Sequence, residues 1–280
     1  MDNYASYPYT IQDVENRIAE YNQCDLQHFT EQEAYRFIIN CIDLTTLEGT
    51  DNKAKIEQLC GKAKNLISSE QGLKGTAAVC VYPPFVSQAK SLLDHTPIKV
   101  ASVAGAFPSG QSPLYVKISE VKYALEEGTD EIDMVISRGK FLEGNLQEVF
   151  DEVAAIKHVC GDKILKVILE TGELETYDNI YKASQLAIEA GADFIKTSTG
   201  KINVNATPHS FLVMLDAIAA HYKSTGKMVA IKPAGGIADA PTAILFVKIL
   251  ENVLGEKWLN NNYFRIGASR LADKIVAEIR

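Results

Sequence analysis

Ile180-Tyr181-Lys182-Ala183-Ser184-Gln185-Leu186-Ala187-Ile188-Glu189-Ala190-Gly191-Ala192-Asp193-Phe194-Ile195-Lys196 spans one whole structural unit. Ile180, Ala183, Leu186, Ala187 and Ala190 recur at helical spacing and form one apolar stripe. Gly191 stands where it can cap that helix, and Phe194-Ile195-Lys196 then reads as a strand. A helix that turns shortly into a strand implies parallel pairing with right-handed crossovers.

The same alternation extends both ways along the chain. Strand-like runs occupy 38–43, 77–82, 99–103, 131–136, 165–169, 194–196, 228–232 and 263–267. They recur about every thirty residues, enough for a strand, a helix and two loops. Ile56, Leu59, Cys60, Ala63 and Ile67 predict another amphipathic helix in an interval between runs. Eight such units close into a (β/α)8 TIM barrel, an α/β fold. An open doubly wound sheet is the alternative, and the lack of a G-x-G-x-x-G turn after the first strand counts against it. Residues 1–35 stand outside the repeat. Thr10-Ile11-Gln12-Asp13 and Thr30-Glu31-Gln32-Glu33 resemble capping boxes and predict two short helices there. Such an extension covers the bottom of a barrel or contacts a neighbouring subunit, as it would in a homodimer. Without a linker or low-complexity segment, the reading is one domain over 1–280, with a helical extension over 1–35 and the barrel over 36–280.

Composition narrows the function. Hydrophobic residues make up 46% of the chain, ordinary for a well-buried core. No apolar run reaches the ~18 residues that span a bilayer. Met1-Asp2-Asn3-Tyr4 opens neither a basic region nor an apolar stretch, so a soluble, cytoplasmic protein without membrane contact is expected. The net charge of −8 argues against nucleic acid as a partner, but not against a small anion held in a local pocket. Cys24, Cys41, Cys60, Cys80 and Cys160 have no paired or metal-like spacing and read as free thiols, with Cys41 and Cys80 in strand-like runs.

Charge inside buried strands is the unusual feature. Strands of a closed parallel barrel are covered on both faces, yet Asp43, Asp133, Lys166, Lys196 and Lys232 interrupt five of them. Ion pairs that brace the barrel are one explanation. Catalysis is the other, because catalytic groups of such barrels gather at the strands' C-terminal ends. Two facing lysines suit imine chemistry. An amine must be neutral to attack a carbonyl, and a lysine of pKa ~10.4 is rarely so at pH 7. A second ammonium ~4 Å away, at an effective dielectric of about 20, disfavours the charged form by ~4 kcal/mol, or roughly three pKa units. A carboxylate such as Asp133 would shuttle protons.

Gly200-Lys201, Gly235-Gly236 and Gly267-Ala268-Ser269 follow the sixth, seventh and eighth strands. Loops at these positions commonly cradle a phosphate with backbone N–H groups. His28, His95, His158, His209 and His221 have no metal-like spacing, and no G-x-S-x-G elbow occurs. Glu170, beside Thr171-Gly172, is a candidate to position a lysine or water, or to cap the next helix.

These residues resemble the deoxyribose-phosphate aldolase family. The matching segments are Cys41-Ile42-Asp43-Leu44-Thr45-Thr46, Gly75-Thr76-Ala77-Ala78-Val79-Cys80-Val81-Tyr82-Pro83, Glu131-Ile132-Asp133 and Leu165-Lys166-Val167-Ile168-Leu169-Glu170-Thr171-Gly172-Glu173-Leu174. They continue with Gly191-Ala192-Asp193-Phe194-Ile195-Lys196-Thr197-Ser198-Thr199-Gly200-Lys201, Lys232-Pro233-Ala234-Gly235-Gly236-Ile237 and Arg265-Ile266-Gly267-Ala268-Ser269. The resemblance implies a class I aldolase, a carbon–carbon lyase of deoxyribonucleoside catabolism. Such an enzyme cleaves 2-deoxy-D-ribose 5-phosphate reversibly to acetaldehyde and D-glyceraldehyde 3-phosphate, without metal or other cofactor. It implies that Lys196 forms the imine, Lys232 is the neighbouring cation, and Asp133 gives and takes protons. Asp43, Cys80 and Lys166 would line the pocket. Thr199, Gly200, Lys201, Gly235, Gly236, Gly267 and Ser269 would bind the substrate, chiefly its phosphate.

The sequence departs from the family in three places. Ala238-Asp239 follows the Gly-Gly-Ile turn where many members have a basic residue. Arg270 stands where a small hydroxyl residue is common and is a candidate for the missing charge. Some members end in a tyrosine that assists proton transfer, whereas this sequence ends Ile279-Arg280, so water is expected to take that step. The competing readings are another class I or transaldolase-like aldolase, and a sugar-phosphate-binding barrel without catalysis. The lysine pair disfavours the last, since binding alone gives no reason to bury two like charges.

Overall fold

The computed structural model describes residues 4–68 and 71–279. Eight parallel strands form the barrel: β1 (Ile42–Thr45), β4 (Ala78–Val81), β5 (Lys99–Ala104), β6 (Glu131–Val135), β7 (Ile164–Ile168), β8 (Phe194–Lys196), β9 (Ala230–Lys232) and β10 (Ile266–Ala268). Their order around the sheet is β10-β1-β4-β5-β6-β7-β8-β9. Bridges Ile231↔Phe264 and Ala234↔Gly267 join the two ends, so the sheet closes as a (β/α)8 TIM barrel. A small antiparallel hairpin, β2 (Ile67–Ser68) with β3 (Leu73–Lys74), lies outside it.

The expected helix–strand unit forms as read. In α8 (Tyr177–Glu189), Thr176 caps the N-terminus through the Asn179 N–H, and Ile180, Ala183, Leu186 and Ala187 are buried. At the other end Gly191 N–H bonds the Ile188 carbonyl at 3.1 Å and Ala192 N–H bonds that of Ala187 at 3.0 Å. Gly191 has a φ of +99°, so this is a Schellman end, and a left-handed residue there favours glycine. Both expected capping boxes also form, Thr10 with Asp13 before α1 (Ile11–Gln23) and Thr30 with Glu33 before α2 (Glu31–Asn40).

Several boundaries differ from the sequence reading, among them the last two strands, which start at Ala230 and Ile266 rather than at Met228 and Tyr263. Residues 38–40 belong to α2, because the capped helix carries its buried face of Phe37, Ile38 and Ile39 past residue 35, and β1 starts only at Ile42. Cys41 is therefore a helix C-cap residue rather than part of a strand. Ile67 leaves the stripe of α3 (Lys53–Asn65) and opens the hairpin, 41% exposed, while Ile56, Leu59, Cys60 and Ala63 are buried as expected. All five cysteines are free.

The N-terminal segment is tied to the outer helices α9 (Pro208–Thr225) and α10 (Ala240–Leu254). Arg17 makes a bidentate pair with Asp216 at 2.7 and 2.8 Å, and Tyr7 donates to the same carboxylate at 2.7 Å. The backbone N–H groups of Gln27 and His28 bond Glu251 at 2.9 and 2.8 Å. Among the described residues no helix is long and apolar enough to cross a membrane.

Strand alternation divides the core in two. Ile42, Leu44, Ile132, Met134, Leu165, Val167, Ile195, Ile231 and Ile266 belong to the large apolar cluster that packs the outer helices. The intervening residues face the barrel axis. There a small apolar group, Leu47, Ala78, Cys80, Ala101 and Val103, fills part of the space. The charged residues share this face with Val135, Ile168, Phe194 and Ala230.

Candidate active site

Parallel register sets the lysines in place. Lys196 pairs directly with Lys232 across β8 and β9, and Asp133 with Lys166 across β6 and β7. Side chains so paired leave the same face of the sheet on strands about 4.8 Å apart. Lys196 and Lys232 each bring Nζ to 2.7 Å from the same oxygen, Asp133 Oδ2. Lys232 also meets Asp43 Oδ2 at 2.5 Å. Lys166 meets Asp133 Oδ1 at 2.8 Å, Glu131 Oε2 at 2.5 Å and Asp43 Oδ2 at 3.4 Å. Arg265 completes the network with Asp43 at 2.7 Å and Glu131 at 2.9 Å. The Phe194 ring packs beneath these cations, 5.9 Å from Lys166 and 5.7 Å from Arg265.

The ion pairs suggested as an alternative to catalysis thus exist, but they do not balance. Lys166, Lys196, Lys232 and Arg265 are four cations, against the three carboxylates Asp43, Glu131 and Asp133. A buried net charge costs several kcal/mol after relaxation. The network becomes neutral when one lysine gives up its proton. Lys196 has the weakest hold, with one carboxylate partner where Lys232 has two and Lys166 three. Burial lowers its pKa below the ordinary lysine value. Asp133 opposes that shift, and Lys232 adds to it. For Lys232 burial acts downward too, but Asp133 and Asp43 outweigh it and raise the pKa. Asp133 itself is held well below the usual carboxylate range, since Lys166, Lys196 and Lys232 overcome the effect of burial. The second lysine therefore contributes to activation, but desolvation leads.

A cavity of about 320 Å³ opens above this network. Lys196, 3% exposed, is the network residue that lines it. Asp43, Cys80, Asp133, Lys166 and Lys232 are fully buried and form no part of its wall. Burial pushes the Cys80 thiol up to about 11. Thr199, Gly200, Lys201, Gly235, Gly236, Gly267 and Ser269 all line the cavity, so the loops expected to hold an anion surround its rim. The N–H groups of Gly200, Gly236 and Ser269 find no acceptor among the described residues. Two glycines are sterically required. At Gly235, φ +75°, a Cβ would lie 2.7 Å from Asn205 Cγ. At Gly267 it would lie 2.7 Å from Ala234 Cβ, a collision, and 3.2 Å from Lys232 Cε, so a side chain there would also crowd Lys232.

Where the sequence departs from its relatives, the structure supplies a different rim. Asp239 is occupied as the N-cap of α10, accepting from Thr242 N–H at 2.8 Å. Ala238 and Arg270 line the cavity, and Arg270 forms no ion pair among the described residues. Lys201 reaches across to Glu48 at 2.9 Å. Glu170 holds no lysine; it stands at the N-cap of the 3-10 turn Thr171–Glu173, but its side chain makes no capping bond there. Its carboxylate accepts from the N–H and hydroxyl of Thr199.

Sequence reading missed Glu131 and Arg265. Both lie in the strand-like runs, Glu131 two residues before Asp133 and so on the same strand face. Applying the same test, charge at an inward strand position, to those two would have found them. Glu131 bonds two cations, so Glu131→Gln is expected to cost about 3 kcal/mol or more of stability, read from the urea midpoint. A loss under about 1 kcal/mol would show that the network tolerates the unpaired charges.

Comparison with known proteins follows this geometry. Residues 37–255 match the DeoC/LacD family of aldolases. Deoxyribose-phosphate aldolase of Homo sapiens is 44% identical over 252 residues, spanning 86% of this chain and 79% of that protein. The Mus musculus enzyme of the same name has the same identity and coverage. The crystal structure of deoxyribose phosphate aldolase from Aeropyrum pernix, described as a tetramer, superposes with a TM-score of 0.67 at 25% identity, covering 96% of this chain and 98% of that one. With residues 37–255 matched to one family and relatives 44% identical over most of its length, the chain belongs to the DeoC/LacD family of aldolases.

Proposed function

We propose that this aldolase cleaves 2-deoxy-D-ribose 5-phosphate reversibly to acetaldehyde and D-glyceraldehyde 3-phosphate, through an imine on Lys196. The observation that carries the reading is the charge count: the buried network is neutral when Lys196, its one group on the cavity, is an uncharged amine. The relatives' activity and the anion-suited rim supply the substrate.

The neutral amine attacks the aldehyde carbon, and loss of water leaves a protonated imine. That cation draws electrons from the bond between the second and third carbons as the third carbon's hydroxyl loses its proton. The bond breaks to release the three-carbon aldehyde phosphate and an enamine. Protonation of the enamine and hydrolysis of the imine free acetaldehyde and restore the amine. Asp133, 2.7 Å from Lys196, is the nearest carboxylate to take up and return protons. Lys232 remains an ammonium throughout and keeps the local potential positive.

Release of acetaldehyde from 2-deoxyribose 5-phosphate, followed with and without EDTA, tests the activity. Borohydride added during turnover is expected to fix an ethyl group on Lys196. Retained activity with an unmodified Lys196 peptide would sink the imine reading. Dihydroxyacetone phosphate used as donor in place of acetaldehyde would favour a different class I aldolase. At the rim, Lys201 and Arg270 are the two cations lining the cavity. Arg270→Ala is expected to raise KM for the phosphorylated substrate about fivefold to tenfold with kcat unchanged. An unaltered KM would remove Arg270 from the anion site.

A further inference from the structure

One buried carboxylate takes no part in the chemistry above. Glu170 follows β7 with a φ of +58°, the left-handed region that residues with a Cβ seldom enter. Its side chain is fully buried, and it forms no ion pair among the described residues. The charged groups nearest it, Arg138 and Glu173, pair with each other at 2.5 Å. Both carboxylate oxygens serve a single residue instead. Oε1 accepts the Thr199 N–H at 3.2 Å, and Oε2 accepts the Thr199 hydroxyl at 2.5 Å. The Thr199 oxygen in turn accepts the Lys201 N–H at 3.1 Å. A strained backbone is one cost. A buried carboxyl without an ion pair among the described residues, its pKa raised by burial against the pull of the Thr199 hydrogen bonds, is another. What they secure is one turn of the cavity rim, Thr199 to Lys201.

The chemistry of the pair suits a carboxylate. Thr199 turns its N–H and its hydroxyl to one side chain, and an acceptor-only group takes a hydrogen bond from both. With its proton committed to Glu170, the Thr199 hydroxyl turns a lone pair toward Lys201 N–H. Lys201 N–H is thereby spent on the turn, while Gly200 N–H has no partner among the described residues and Lys201 lines the cavity. We propose that Glu170 is a positioning residue for the phosphate end of the substrate, acting through Thr199 to hold the Gly200–Lys201 turn ready for the anion. The proposal rests on the reading of that rim as the phosphate site. An amide at 170 would still accept the Thr199 N–H but would present a donor to the hydroxyl. The hydroxyl oxygen would then serve both that donor and the Lys201 N–H while its own proton lost its acceptor, and the turn would loosen.

The test compares steady-state kinetics on 2-deoxyribose 5-phosphate and on unphosphorylated 2-deoxyribose. Glu170→Gln is expected to raise KM for the phosphorylated sugar about tenfold to a hundredfold, the worth of a hydrogen bond to a charged group, with kcat within about twofold. KM for the unphosphorylated sugar should not change. Thr199→Val keeps the carboxylate but cuts the link to Lys201, and should reproduce the same split even where the Glu170 variant folds poorly. The double variant should be no worse than the more affected single one, because the two residues act as one unit. Equal losses on both sugars, a fall in kcat alone, or an unchanged KM would overturn the proposal. A wild-type protein with no preference for the phosphorylated sugar would overturn the phosphate-site reading itself. A preference that survives in both variants overturns only the part assigned to Glu170.

Discussion

Lys196→Met is expected to abolish turnover, by about four orders of magnitude or more, while leaving the protein at least as stable as the wild type. The first half follows from removing the one amine of the buried network that reaches the cavity wall, without which the proposed imine cannot form. The second half follows from the charge count. With Met at 196 the network holds Lys166, Lys232 and Arg265 against Asp43, Glu131 and Asp133, three against three. The variant no longer buries an unbalanced cation or deprotonates one, so it keeps its fold and may be assayed as a folded protein. Stability that rises as activity vanishes is the signature of a site held at the expense of the fold. The measurements are acetaldehyde release, borohydride trapping and the thermal midpoint. A midpoint several degrees below the wild type would mean that Lys196 braces the barrel instead.

Lys232→Met should give the second largest effect, with a distinct pH signature. Removing this ammonium leaves three carboxylates to be balanced by Lys166, Arg265 and Lys196, so Lys196 is then required to stay charged. The sign is definite: the folded pKa of Lys196 rises, and the neutral fraction at pH 7 falls. A unit charge about 5 Å away, at an effective dielectric of about 20, is worth ~3 kcal/mol, on the order of a hundredfold. Activity at pH 7 should fall about a hundredfold, and the acid limb of kcat/KM should move to higher pH, with much of the rate regained in alkali. A loss of the same size at every pH would show that Lys232 handles a proton of the reaction and does not tune the amine.

Much of this was legible before any coordinates. The α8 unit could be read to its terminal Gly191 because helix period, capping and glycine's left-handed freedom are local properties. The capping boxes at Thr10 and Thr30 were legible for the same reason. The start of the first strand was not. Ile38 and Ile39 suit a strand or a buried helix equally, and the choice is made by the cap at Thr30 and by packing around Phe37. The hairpin at Ile67 was likewise hidden, as two-residue strands carry no period.

The sequence by itself determined that charges sit where strands must be buried, and that three glycine-bearing loops follow the last three strands. Residue type and spacing suffice for that, because burying an ammonium is too costly to be incidental. Only the tertiary structure decided which carboxylate each ammonium meets, since β1 and β6 to β10 bring their side chains together only when the barrel closes. Closure also brought in Glu131 and Arg265, which turned two aspartates and three lysines into three carboxylates and four cations. That difference of one charge is the ground for proposing Lys196, the cation with a single carboxylate partner and the network's one side chain on the cavity, as the group that releases its proton.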